Sequence, residues 1–278
     1  MKLFDTHAHV HFNAYKDDAA EVIQRSFDND VWMVTVGTQK DTSKSGIEWA
    51  EKYEKGLYAS VGLHPTHAVA HGFNDSNELD FKPRQEEFDA EFYQSLVDSS
   101  DKVVAVGECG LDYYRLPKEE VETMKKLQYS AFMAQAEFAA KNELPLIIHC
   151  RDAHDDQFAA LKEAKEQWKS EKLGVIHSFT GTYEEAKRYI EMGWYIAFNG
   201  IAVFADEVGE VARKLPLESL LIETDAPYLT PPPYRGKRNE PAYVKYVAEG
   251  IAVRKGISLD EVAETTFNNA IKLFQINL

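Results

Sequence analysis

The segment Phe4-Asp5-Thr6-His7-Ala8-His9 carries the pattern from which the fold and a candidate site can be predicted. Leu3 and Phe4 are typical of the start of a strand. Residues two apart on a strand point to the same side, so His7 and His9 are expected to present two imidazoles together. Such a pair is either half of a metal site or a structural pair. The choice depends on whether further ligands lie elsewhere in the sequence.

Seven further apolar segments follow the first, and helical segments separate them. Because they are apolar along their length, they are typical of strands buried on both faces of a parallel sheet, with right-handed crossovers between them. The predicted strands are Leu3–His7, Val31–Gly37, Tyr58–His64, Val103–Glu108, Pro145–His149, Gly174–His177, Trp194–Asn199 and Leu220–Asp225. The predicted helices are Ala19–Phe27, Ile47–Lys55, Phe88–Val97, Glu119–Lys141, Asp156–Trp168, Glu184–Met192, Val208–Leu215 and Tyr243–Arg254.

Eight strand and helix units in 278 residues predict an α/β fold, the (β/α)₈ TIM barrel, formed as a single domain over residues 1–278. A doubly wound open sheet is the alternative arrangement of the same units. Ser258–Ile276 predicts an additional C-terminal helix packed on the flank of the barrel. The polar segment His71–Gln85 follows the third strand and is long enough to predict an excursion over the rim of the site.

The composition argues against several classes of protein. Apolar runs such as Pro145–Ile148 are far shorter than the ~20 residues that cross a bilayer. The formal net charge of −15 argues against a broad basic face for nucleic acid, but not against an enzyme that holds one strand end at a metal site. With only Cys109 and Cys150, and no signal-like start, we expect a cytoplasmic protein without disulfides. We interpret both cysteines as small buried side chains that point away from the site.

Ligand-type side chains follow the predicted strands at their carboxyl ends, where (β/α)₈ barrels carry their active sites. Buried ionisable groups that lie close together need a compensating cation. Four histidines and two carboxylates are sufficient for two divalent ions (Mg, Mn or Zn) with one carboxylate bridging, an arrangement suited to phosphoester hydrolysis. The candidate metal ligands are His7, His9, Glu108, His149, His177 and Asp225.

Six motifs, in this order along nearly the whole chain, resemble those of the TatD-type metal-dependent deoxyribonucleases of the amidohydrolase superfamily. The motifs are Asp5-Thr6-His7-Ala8-His9, Val61-Gly62-Leu63-His64-Pro65, Gly107-Glu108-Cys109-Gly110-Leu111-Asp112-Tyr113-Tyr114, His149-Cys150-Arg151-Asp152-Ala153, His177-Ser178-Phe179-Thr180-Gly181 and Glu223-Thr224-Asp225-Ala226-Pro227-Tyr228-Leu229. The resemblance implies His7, His9 and Asp225 on one metal, His149 and His177 on the other, and Glu108 bridging them. It also implies hydrolysis of DNA phosphodiesters, often from a 3′ end and sometimes at damaged ends.

Glu108 and Asp225 are the predicted catalytic residues. A carboxylate that shares a metal with a water lies within hydrogen-bond reach of it, so Asp225 is our candidate general base, with a role as ligand only as the alternative. His11 departs from the usual continuation of the first motif, and we place it on the rim, outside the ligand set.

Further residues are candidates for contact with the substrate. Arg151 is predicted to share the strand face of His149, where a guanidinium could bind phosphate oxygens. His64 is either a phosphate contact or a structural histidine, and the resemblance favours the first. Asp112 and Tyr113 are predicted to line the pocket. Arg238, in a compact basic cluster, is either a backbone contact or part of a solvated turn.

Two other functions fit the same pattern. A metal-dependent amide or ester hydrolase, such as a D-aminoacyl-tRNA deacylase, would use a similar site, and fold alone does not decide between them. A lysine in the barrel would favour amide hydrolases, whereas Glu108 at the bridging position favours a nuclease. A non-catalytic barrel that binds nucleic acid or protein is the third alternative. We expect a monomer with DNA as its partner.

Overall fold

The protein was analysed as a computed structural model that describes residues 1–69, 85–166 and 173–277. Eight parallel strands form one sheet, and each strand pairs with the next along the chain. The strands are β1 Leu3–Ala8, β2 Val31–Val36, β3 Leu57–Val61, β4 Val103–Asp112, β5 Leu146–Arg151, β6 Gly174–Ile176, β7 Tyr195–Phe198 and β8 Leu220–Ile222. This sequential order confirms the predicted (β/α)₈ barrel over the doubly wound alternative.

The ring closes between β1 and the segment that follows β8. Ala8 and Ala226 form a parallel bridge. The Asp225 N–H donates to the carbonyl of His7 at 2.8 Å, and the His9 N–H donates to the carbonyl of Ala226 at 2.8 Å. The backbone that carries three of the candidate ligands is therefore part of the closure itself.

The helices surround the ring and mostly follow the predicted segments. They are α1 Ala19–Asp28, α2 Lys40–Ala50, α3 Pro65–Ala68, α4 Ala90–Ser99, α5 Val121–Lys141, α6 His154–Lys165, α7 Tyr183–Glu191, α8 Ile201–Phe204, α9 Asp206–Lys214, α10 Val244–Lys255 and α11 Leu259–Leu273. No helix in the described parts of the chain is both long and apolar enough to cross a membrane.

Three predictions about helices and loops need correction or lie outside the described residues. The helix predicted at Ile47–Lys55 begins seven residues earlier, because the Thr42 hydroxyl accepts the backbone N–H of Gln39 and stabilises a start with few apolar residues. The predicted end of another helix at Trp168 lies outside the described residues, as do residues 71–84 of the predicted rim excursion.

The C-terminal helix α11 is present, and its first half packs with the surrounding helices through Val262 and Ala263, as predicted, but its second half does not lie on the flank of the barrel. The apolar side chains of this second half, Phe267, Ala270 and Leu273, share one hydrophobic cluster with residues from all eight strands, which is possible only inside the ring. Phe267 and Phe274 lie 6.2 and 5.9 Å from the ring of Phe4, near the start of β1. Helix α11 therefore covers the end of the barrel where the strands begin and leaves the opposite end for the site.

Candidate metal centre

Glu108 lies at the centre of the candidate site. Its two carboxylate oxygens face different groups of imidazoles. Oε1 lies 2.8 Å from Nε2 of His177, 2.9 Å from Nδ1 of His149 and 3.4 Å from Nε2 of His64. Oε2 lies 3.3 Å from Nε2 of His7 and 3.9 Å from Nε2 of His9. A carboxylate with ring nitrogens on both sides has the arrangement of a bridging ligand.

The strand end predicted at Glu108 is wrong, since β4 continues to Asp112. The pairing of β4 with β5 changes register between Val106 and Cys109. Glu108 sits in this irregular stretch, which turns its side chain into the ring although strand structure continues beyond it.

Asp225 completes the group on the Oε2 side of Glu108. Its Oδ1 lies 3.8 Å from Nε2 of His7 and 3.6 Å from Nε2 of His9. The structure thus brings all six predicted ligands together, divided as the sequence motifs imply. His64 joins the Oε1 side, where it could act as a further ligand instead of a phosphate contact.

The donor set fits divalent metals. Nε2 of His7 and Nε2 of His9 lie 3.2 Å apart, and Nε2 of His177 lies 3.4 Å from Nδ1 of His149. Ring nitrogens that converge in pairs on buried carboxylate oxygens match the requirement of a cation for several donors at one point. Nitrogen and oxygen donors without sulfur suit zinc or manganese, and magnesium where oxygen donors and water complete the set.

The ionisation states of Glu108 and His7 suit metal binding, whereas facing carboxylates raise the pKa of His149 and of His177, which must release a proton before they bind a metal. Burial raises the pKa of Glu108, but the facing His177, His64 and His7 hold that pKa well below its usual range. Burial lowers the pKa of His7, and the nearby His177 lowers it further. At neutral pH Glu108 is therefore a carboxylate and His7 a neutral imidazole, which are the forms that coordinate metals.

Two other carboxylates hold the imidazoles in place on the Oε1 side. Burial lowers the pKa of His149, but hydrogen bonds with Asp112 and Glu108 raise it to about 9. Oδ2 of Asp112 lies 2.9 Å from Nε2 of His149, and its Oδ1 accepts the backbone N–H of Tyr114. Asp112 lines the cavity, as predicted, but it is buried and its Oδ2 is oriented toward His149, as is typical of a carboxylate that positions a metal-binding imidazole.

Glu223, to which our sequence reasoning gave no role, has the same relation to His177. Its Oε1 lies 3.4 Å from Nδ1 of His177 and accepts the backbone N–H of Ser178 at 2.6 Å. Glu223 is fully buried. In the sequence, only its position could have indicated this role, because Glu223 lies two residues before Asp225 near the end of the last predicted strand.

Asp5 and two glutamines fix the backbone around the site. Asp5 is fully buried and accepts the backbone N–H groups of His7 and Thr224, so it ties β1 to the segment that carries Asp225. From α5, the amide of Gln128 bonds both the N–H and the carbonyl of Asp112. Gln135, two turns later, binds Leu63 in the same way, next to His64.

The remaining predicted substrate contacts separate into three places. Arg151, at the end of β5, lines the cavity in front of Glu108, with its guanidinium 3.6 Å above the ring of Tyr114. Tyr113 lines an adjoining groove, where Lys125 lies 4.3 Å from its ring centroid. The prediction of a contact with the DNA backbone is corrected for Arg238, because its guanidinium pairs with Asp18 and does not line the cavity.

The cysteines differ from each other. Cys109 is buried, and its Sγ lies 3.8 Å from the carbonyl of Ile147 in the packing behind the strands, as predicted. Cys150 is half-buried, lines the cavity, and has its Sγ 3.3 Å from Nδ1 of His154, so the prediction of a simple buried filler is wrong for it. His11 bonds Thr35 at 2.7 Å, apart from the ligands.

A barrel with clustered histidines and carboxylates at the carboxyl ends of its strands defines the class of metal-dependent hydrolases. The family model described as "TatD related DNase" matches residues 4–275. The chain therefore belongs to the TatD family.

Relatives and solved structures agree with this assignment. The chain is 40% identical to an uncharacterized metal-dependent hydrolase of Bacillus subtilis, YabD, over 99% of this chain and all of that protein. It is 33% identical to deoxyribonuclease Tat-D of Schizosaccharomyces pombe, over 87% of this chain and 82% of that protein. The crystal structure of YJJV, a TatD homolog from Escherichia coli, superposes with a TM-score of 0.81 at 29% identity, over 99% of this chain and 98% of that chain.

Proposed function

We propose that this protein is a deoxyribonuclease that hydrolyses phosphodiester bonds of DNA, acting from a 3′ end or at damaged ends, with two divalent metal ions. The observation that carries the proposal is the division of the ligands about Glu108, with His7, His9 and Asp225 on one side and the other imidazoles on the opposite side. A relative named deoxyribonuclease supports the choice of substrate.

In this proposal, His7, His9 and Asp225 would hold one ion, His149 and His177 would hold the other, and Glu108 would serve as a ligand for the pair. When bound, the ions supply an activated water and neutralise charge on the phosphate. Hydrogen bonding to His9 and the proximity of His7 and His177 outweigh burial and hold the pKa of Asp225 below its usual range, so it stays a carboxylate that can accept a proton.

Among the residues that the structure describes, Arg151 is the cation best placed to bind a phosphate oxygen, since it lines the cavity beside His149. Outside the cavity the formal charge of −15 opposes extended binding of a polyanion. The proposal therefore confines recognition to one end of a strand. A cytoplasmic monomer folded as one domain remains our prediction for the whole protein.

The test is a cleavage assay with end-labelled single strands and an abasic duplex, run beside an aminoacyl-tRNA. Magnesium, manganese or zinc is added to protein from which a chelator has removed bound metal. We expect cleavage of DNA that depends on added metal. Hydrolysis of aminoacyl-tRNA alone would refute the nuclease proposal and favour the deacylase.

Asp225→Asn tests the role of the general base. We expect turnover to fall at least about a hundredfold in a folded protein, because the amide cannot accept the proton. Asp206→Asn, at a side chain 98% exposed on α9, is the matched control and should retain wild-type turnover. Near-normal turnover of Asp225→Asn would refute the role.

A further inference from the structure

The mouth of the cavity has two chemically different sectors. One carries large apolar and aromatic side chains and is called the apolar sector here. It consists of Phe12, Ile201, Tyr228 and Leu229. The other carries hydroxyl, imidazole and guanidinium groups and is called the polar sector. It consists of His64, Thr66, Arg151 and Thr180.

The order of the strands places these sectors on two different arcs of the ring, which adjoin between β6 and β7. Members of the apolar sector follow β7, β8 and β1, which are neighbours through the closure of the barrel. Members of the polar sector lie at or after the ends of β3, β5 and β6. Glu108, on β4, belongs to the arc of the polar sector, and its carboxylate reaches His7 on β1, in the arc of the apolar sector, as well as His149 on β5. A substrate bound at Glu108 therefore meets a different surface on each side.

The apolar sector is in direct contact with one group of candidate ligands. The ring of Phe12 stacks on that of His9, with centroids 4.3 Å apart and planes 18° apart. The ring of Tyr228 meets His9 edge-on at 6.5 Å, and Tyr228 follows Asp225 by three residues. Tyr228 is 37% exposed, unlike most large apolar side chains of the described residues. An aromatic surface thus begins next to the reacting centre and continues to the mouth.

Apolar surface and phosphate are poorly matched, because a charged group loses hydration there without gaining a partner. A nucleobase is well matched, because every base has a π-face that stacks on aromatic side chains whatever its identity. The cavity volume of about 480 Å³ is within the range of small-ligand pockets and suits one terminal nucleotide.

We propose that the apolar sector is a nucleobase subsite. The base of the nucleotide next to the cleaved phosphodiester stacks on Tyr228 and packs against Ile201 and Leu229. The rest of the strand lies along the polar sector, where Arg151 and Thr180 face its backbone. This inference rests on the proposed deoxyribonuclease function and specifies a preference of that site: an end that carries a base, whatever its identity, is cleaved faster than an abasic end.

The test compares two single-stranded oligonucleotides that differ only in the nucleotide released. One ends in a normal nucleotide and the other ends in an abasic residue. For the wild type we expect kcat/KM about tenfold higher with the base present, in line with stacking on one aromatic ring. For Tyr228→Ala we expect kcat/KM on the normal strand to fall about tenfold, so that the preference for the base disappears. On the abasic strand, kcat/KM should stay within about twofold of the wild-type value.

Two variants separate stacking from general damage. Tyr228→Phe keeps the ring and should retain the preference for the base. Leu127→Ala shortens an exposed apolar side chain on α5 outside the cavity and should behave as the wild type. If Tyr228→Ala is poorly folded, Ile201→Ala provides the second measurement and should reduce the same preference.

The outcomes distinguish failure of the subsite from failure of the proposed function. If the wild type cleaves both strands equally, or if Tyr228→Ala lowers both rates by one factor, the subsite is refuted and the nuclease stands. If the wild type cleaves neither strand and hydrolyses aminoacyl-tRNA, the proposed function and the subsite fall together.

Discussion

Replacement of Asp112 by asparagine tests whether this buried carboxylate holds His149 in the geometry that metal binding needs. The two oxygens of Asp112 accept from different donors, Nε2–H of His149 and the backbone N–H of Tyr114. An asparagine has the same shape but only one oxygen, so its NH₂ group must face one of these N–H groups. One buried donor then loses its acceptor, and the imidazole loses its charged partner.

The magnitude follows from these two losses. An unsatisfied buried donor costs about 1–3 kcal/mol of folding free energy. Loss of a hydrogen-bond partner behind a metal-binding imidazole typically lowers metal affinity about 10–100-fold. The effect should be confined to the ion held by His149 and His177. Among the described residues, Asp112 pairs with His149 and forms no hydrogen bond or ion pair with His7, His9 or Asp225.

The assay is titration of chelated protein with zinc or manganese by calorimetry or by competition with a chromophoric chelator. We expect two binding steps, of which Asp112→Asn weakens one and leaves the other within about twofold. Asp206→Asn serves as the surface control. Unchanged binding at both steps would refute the role of Asp112, and equal weakening at both would show that the variant acts through general loss of structure.

Two further predictions concern the surroundings of the site. Gln128→Leu leaves the N–H and carbonyl of Asp112 without their partners, so urea unfolding should show about 2–4 kcal/mol lower stability, whereas the surface variant Leu127→Ala should lose much less. Burial lowers the pKa of His154 despite the nearby carboxylates of Glu185 and Asp155, so the unfolded chain binds this proton more tightly than the folded one. Above the ordinary histidine pKa of about 6.5, His154 is neutral in both the folded and the unfolded chain and does not oppose folding. As pH falls below this value, the unfolded chain takes up the proton first, so the free energy of unfolding decreases. His154→Asn should make unfolding free energy less dependent on pH between 7.5 and 5, and an unchanged slope would contradict this reasoning.

The strands and the ligand set could be predicted because both depend on local patterns. Buried parallel strands are apolar along their length, and the ligands follow these runs closely. The end of β4 was mispredicted for the same reason: a charged residue after five apolar or small ones resembles a strand end. Glu108 instead continues the strand, because its charge is compensated by imidazoles that are distant in sequence, on β1, on β5 and directly after β6.

Features that depend on distant partners could not be predicted from local pattern. Arg238 lies in a basic cluster that resembles a phosphate contact, but Asp18, 220 residues earlier, pairs with it. Gln128 and Gln135 are spaced like residues of one helix face, and a glutamine on a long helix is usually solvated. Only the structure shows that this face of α5 covers the ends of β3 and β4, where each amide finds both backbone groups of one residue.

Asp5 explains why closure of the barrel and assembly of the site occur together. Burial raises the pKa of Asp5, and the bonds from Thr224 and from the His7 backbone only partly offset this effect. Burial of such a carboxyl group is costly in free energy unless its oxygens accept hydrogen bonds. Both oxygens of Asp5 accept hydrogen bonds, from donors on β1 itself and on the segment after β8. Those segments carry His7 on one side and Asp225 on the other, so the bonds that bury Asp5 bring these two side chains within reach of one cation.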